Sequence, residues 1–158
     1  MTKIIFLHHS TGEAIWKGET NKYIYKLTRK GDVQKYFEAY NQKNKTDYEI
    51  RAMNFPKNSP YGWNNYPFDY YNIWVKNAGN RPYIEEPTLE MLTAENDVII
   101  FKHCFPVSRI VPDTGSPDID SDIKSIENYK LQYEALKNKM HEFKNNKFIV
   151  WTPAANTK

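Results

Sequence analysis

A serine, three histidines, a lysine and the single cysteine are the residues whose chemistry could serve catalysis, and they fall into two short stretches. The first, His8-His9-Ser10-Thr11-Gly12, closes the apolar run Ile4-Ile5-Phe6-Leu7; the second, Lys102-His103-Cys104, closes Ile99-Ile100-Phe101. A serine hydroxyl is a weak nucleophile at neutral pH and needs an imidazole or comparable base within hydrogen-bond reach. Histidine titrates where that proton transfer is useful. The oxyanion formed on attack needs donors already aimed at it, and the N–H groups of Thr11 and Gly12, at a strand-to-helix turn, are placed to supply them. Ser10 is therefore the candidate nucleophile, His9 (or His8) and His103 are the candidate bases, and Lys102 is a further candidate for the oxyanion.

Each residue also has a plainer reading. A serine entering a helix is commonly an N-cap. Adjacent residues of a strand point to opposite faces, so at most one of His8 and His9 can face the Ser10 hydroxyl, and the other belongs to the core. The donors of His8, His9, His103 and Cys104 would suit zinc, whereas Cys104 before Phe105-Pro106 also fits a small buried apolar residue.

These groups meet only if strands deliver them to one edge. Strands are predicted over 3–8, 48–54, 97–103 and 147–151. Three are nearly continuous apolar runs, which suits a parallel sheet covered on both faces. The stretch 48–54 alternates Tyr48, Ile50 and Ala52 with Glu49 and Arg51, as an edge strand does. Helical spacing is present at Val33, Tyr36, Phe37 and Tyr40, over 67–77 and 87–93, and most clearly over 121–144, with Asp120, Ser121 and Asp122 as capping candidates. Strands alternating with helices imply a doubly wound α/β fold. Long loops at 54–66 and 105–118 follow the C-terminal ends of predicted strands, where such sheets bind ligands. Tyr61, Trp63 and Tyr66 lie among Pro, Gly and Asn in the first loop, where they could form a platform for a sugar or acyl group; Phe68, Tyr71 and Trp74 have helical spacing and fit the core.

At 158 residues the chain fits one domain, 1–158. Its 40% hydrophobic and 26% charged residues match a soluble globular protein, and 22 basic against 19 acidic residues do not suggest nucleic-acid binding. No apolar run is long enough to span a bilayer, so no membrane partner is expected. A single cysteine excludes an internal disulfide. Without a signal-peptide core, the expectation is a cytoplasmic protein or a secreted one whose signal has been removed. The exposed last strand permits a homodimer.

The opening strand with Ser10 in its turn, the strand ending at His103, the long helix, and the last strand ending in Trp151-Thr152-Pro153 together resemble the SGNH or GDSL hydrolases. His9-Ser10-Thr11-Gly12 stands where that family has Gly-Asp-Ser, and Ser10 carries over as nucleophile. The resemblance implies a flavodoxin-like three-layer α/β/α sandwich and a cofactor-free, metal-free esterase acting on small-molecule or carbohydrate esters. Two departures are visible. His103-Cys104-Phe105-Pro106 replaces the family's Gly-x-Asn-Asp, which leaves the oxyanion to Lys102 or the Thr11 N–H. The family's Asp-x-x-His block would follow the strand ending at Trp151, so the chain reads as the front portion of a longer hydrolase, truncated at its C-terminus, and the base that the resemblance implies is a histidine beyond Lys158. The competing expectation is a noncatalytic carbohydrate-binding or structural module on the same scaffold.

Overall fold

The computed structural model describes residues 1–61 and 65–151. Four strands, β1 (Thr2–His8), β2 (Tyr48–Asn54), β3 (Val98–Lys102) and β4 (Lys147–Trp151), form one parallel sheet in the order β2-β1-β3-β4. With helices on both faces this is the flavodoxin-like three-layer α/β/α arrangement. The alternating strand β2 does lie at an edge, and the two echoing apolar strands β1 and β3 are central neighbours. Their register pairs Leu7 with Phe101, so His8 and Lys102 emerge together at the C-terminal edge.

The near-continuous apolar runs arise because the central strands are covered on both sides. Ile5, Leu7, Ile99 and Phe101 face α4 (Pro67–Tyr71), the π-helical turn Asn72–Lys76 that continues it, α5 (Leu89–Glu95) and α6 (Ile126–Met140). Here Phe55, Tyr70, Trp74 and Phe101 are fully buried with ring centroids 4.8 to 5.3 Å apart. Burial of each such side chain is worth about 1.5–3 kcal/mol, so this layer carries most of the core. Ile4, Phe6 and Ile50 face the other way, against Trp16 of α1 (Thr11–Lys17) and Val33 and Phe37 of α3 (Asp32–Asn44). Among the described residues that second layer stops short of β4, leaving Ile149 47% and Trp151 38% exposed.

Two expectations need correction. The long helix begins after Ser125, whose hydroxyl accepts from the Asn128 N–H at 3.3 Å, and not at residues 120–122. The preceding carbonyls of Ile119 and Ser121 are held by the Gln132 side chain at 3.2 and 2.9 Å, which fixes that stretch as a loop against the helix. The helix α2 (Lys22–Thr28) was not foreseen; its N-cap Asn21 accepts from the Tyr23 N–H at 2.9 Å.

Candidate active site

The turn between β1 and α1 consists of His9 and Ser10 alone. Ser10 has φ 43° and ψ −100°, a left-handed conformation that costs an L-residue about 1–3 kcal/mol and persists only where its surroundings impose it. Part of that imposition comes from Gly12: a Cβ there would lie 2.3 Å from His8 Cβ, so α1 can settle onto the last residue of β1 only because this position is glycine. Ser10 holds the N-cap position without acting as a cap. Its side chain accepts no helix N–H, it is exposed, and its hydroxyl bonds to no described residue. The N-cap reading of this serine is thereby set aside.

The two amides expected to face an oxyanion differ. The Gly12 N–H is spent within the turn, donating to the His9 carbonyl at 2.8 Å, so Gly12 serves close packing and not oxyanion binding. The Thr11 N–H, first of the helix, donates to no described residue. Lys102 is brought to the same place by the β1–β3 pairing. Its Nζ donates to Thr11 Oγ1 at 2.6 Å and to the His103 carbonyl at 3.0 Å, and burial lowers its pKa from the usual lysine value. Ser10, Thr11 and Lys102 thus form one cluster at the sheet edge.

The histidines do not form one cluster. His8 points to the α1 side, its ring 4.9 Å from that of Phe6 and its Nε2 3.9 Å from a Glu13 carboxylate oxygen; burial pushes its pKa down to about 4. His103 points to the opposite side, fully buried among Tyr70, Tyr133 and Phe101 with ring centroids at 4.6, 5.5 and 5.8 Å. Neither of its nitrogens has a hydrogen-bond partner among the described residues, and burial pushes its pKa down to about 3, an effect only partly offset by the nearby Asn65 carbonyl. An imidazole so enclosed neither gathers protons at neutral pH nor reaches a surface hydroxyl, so the expectation of His103 as a base is corrected: it is a core ring. His9 remains. It is half-buried, and its Nε2 contacts the Pro56 carbonyl. A carbonyl can only accept, so this contact assigns the proton to Nε2 and leaves the Nδ1 lone pair as the available base.

The zinc alternative fails on the same geometry, since His8 and His103 lie on opposite faces of the sheet. Cys104 is buried, and its N–H donates to the carbonyl and the side-chain oxygen of Asn65 at 3.2 and 3.1 Å.

That bond exposes residues the sequence reading passed over. Asn65 is fully buried at φ 43°, and its side-chain amide donates to the Phe55 carbonyl at 2.5 Å while its oxygen holds Cys104. It fastens the loop after β2 to the end of β3. Asp69 is also buried: one carboxylate oxygen has no partner among the described residues, and burial raises its pKa to about 7 against the opposing pull of the backbone at Tyr66 and Asn65. An acid three positions after the N-cap Tyr66 is capping-box spacing, the one signal that could have marked it. Tyr61 packs half-buried against the main core, where burial and the neighbouring Tyr83 raise its hydroxyl pKa. Tyr66, expected beside it in a ligand platform, is instead buried with Val107 and Tyr129, and Trp63, the third member, lies outside the described residues.

No family model, curated protein or solved structure matches this chain.

Proposed function

We propose that this chain is a serine hydrolase of ester substrates, of the SGNH type its sequence resembles, with Ser10 as nucleophile. The observation that carries the reading is the conformation of Ser10: a non-glycine residue held at positive φ between a central strand and a helix, with its hydroxyl uncommitted. A strained strand-to-helix turn that exposes a serine oxygen is how nucleophile elbows work. Ser10 Oγ attacks the ester carbonyl carbon and its proton passes to His9 Nδ1, while the Pro56 carbonyl holds the other ring nitrogen in the required tautomer. The Thr11 N–H and the Lys102 ammonium face the developing oxyanion. Collapse expels the alcohol, which takes the proton from His9; water activated by the same imidazole then hydrolyses the acyl-serine. Small-molecule esters and acylated carbohydrates are the substrate class.

Hydrolysis of p-nitrophenyl acetate by the wild type, Ser10→Ala and His9→Ala tests this. Loss of turnover on both substitutions, with fluorophosphonate labelling abolished by Ser10→Ala alone, is the expected pattern. Equal rates for wild type and Ser10→Ala eliminate the hydrolase reading, and full activity in His9→Ala eliminates His9 as the base.

A further inference from the structure

The α2 helix is amphipathic in the wrong sense for a helix that covers a core. It buries no residue completely. Its contact with the body of the protein is made by Tyr25, which packs beside the Trp16 layer and donates its hydroxyl to Glu13 at 2.5 Å. At about 100° per residue, Tyr23 and Leu27 project from the side nearly opposite Tyr25, with Ile24 on their flank. These three side chains are 70%, 87% and 53% exposed, respectively. Lys22 and Lys26 border them on the other flank. Over residues 17–30 the cations Lys17, Lys22, Lys26, Arg29 and Lys30 stand against the single acid Glu19, and among the described residues only Lys30 is in an ion pair, with Glu38 at 2.6 Å.

An outward apolar ridge within a basic collar has a limited set of partners. A second copy of the chain would bring like charges together across a twofold axis, which opposes self-association. Side chains 53–87% exposed stand out from the surface, whereas a groove that seats a peptide encloses its apolar lining. A surface that accepts a protruding apolar tip and attracts cations is an anionic bilayer, where apolar side chains enter the acyl boundary while lysines stay among the headgroups.

We propose that α2 docks this protein peripherally on anionic lipid surfaces. This is a surface contact and not a span, since no helix of the described residues is long and apolar enough to cross a membrane. The inference stands on exposure and charge and does not need Ser10 to be catalytic.

Co-sedimentation with phosphatidylcholine vesicles and with mixed phosphatidylcholine–phosphatidylglycerol vesicles tests it. Binding to the mixed vesicles at low salt, at least about tenfold stronger than to phosphatidylcholine alone and released by added salt, is expected. Leu27→Ser, and separately the pair Lys22→Glu and Lys26→Glu, each weaken it about tenfold. Because α2 buries no residue completely, both variants keep their fold, which circular dichroism verifies. The proposal is overturned by equal binding to the two vesicle types, by variants that bind as the wild type does, or by no vesicle binding at all. The last outcome includes the case in which Leu27 instead governs a concentration-dependent dimer.

Discussion

Replacing His103 by phenylalanine separates the cost of burying an imidazole from the value of filling the space it occupies. The ring sits among Tyr70, Phe101 and Tyr133, with both nitrogens unpartnered among the described residues. Phenylalanine fills nearly the same volume without polar atoms, and removing buried unsatisfied groups is worth about 1–3 kcal/mol. The pH dependence is the sharper test. Burial depresses the folded-state pKa to about 3 from an ordinary value of 6.5, so the unfolded chain binds a proton on His103 that the native state refuses. Stability from the neutral ring is therefore fully present above about pH 6.5 and is lost as pH falls toward 3, at about 1.4 kcal/mol per pH unit. Between pH 7.5 and pH 5 the wild type loses about 2 kcal/mol through this residue alone. His8, similarly depressed to about 4, acts in both proteins and cancels in the difference. Urea denaturation across that range should show His103→Phe as the more stable protein at pH 7.5, with its advantage about 2 kcal/mol larger at pH 5. A difference that stays flat with pH, or a His103 NMR titration near 6.5, would falsify the buried neutral ring.

Three other outcomes follow from the same geometry. Ser10→Gly relieves the positive φ and should raise stability by about 1 kcal/mol while abolishing ester turnover; a less stable variant would mean the turn is not strained. Gly12→Ala places a methyl 2.3 Å from His8 Cβ and should cost about 1–3 kcal/mol in chemical denaturation, although alanine is otherwise the better helix former; an unchanged midpoint would contradict the close approach of α1 to β1. Asp69 titrates near 7 in the fold against about 3.8 unfolded, so the stability of its protonated form is complete below pH 3.8 and is lost as pH rises through 7. Relative to the wild type, Asp69→Asn should gain about 2–3 kcal/mol between pH 5 and pH 8, and a pH-independent difference would show that the carboxyl is not shielded from water.

The layering was legible in the sequence because burial on both faces leaves a mark on composition. Ile4-Ile5-Phe6-Leu7 and Ile99-Ile100-Phe101 are the central parallel strands and the alternation of β2 marked an edge, whereas the equally apolar β4 lies at the other edge with Ile149, Val150 and Trp151 exposed, so that its composition did not reveal its place. Ser10 was visible for the same reason, since a central strand that stops at a serine and a glycine leaves that serine at the ligand-binding edge. What periodicity along one chain does not encode is the direction in which residues leave that edge and what lies above them. His8 and His103 look equivalent as the last members of echoing strands, yet the parity of the pleat sends them to opposite faces and burial removes both from proton transfer. Asn65, in the loop after β2, and Asp69, in α4, carry no mark of burial in composition; Asn65 is buried because the Phe55 carbonyl and the Cys104 N–H need partners that only the folded neighbourhood brings within reach, and Asp69 because α4 packs into the core. The apolar residues of α2 have helical spacing, but whether such a stripe faces core or solvent is decided by the element beside it, and here Tyr25 alone turns inward.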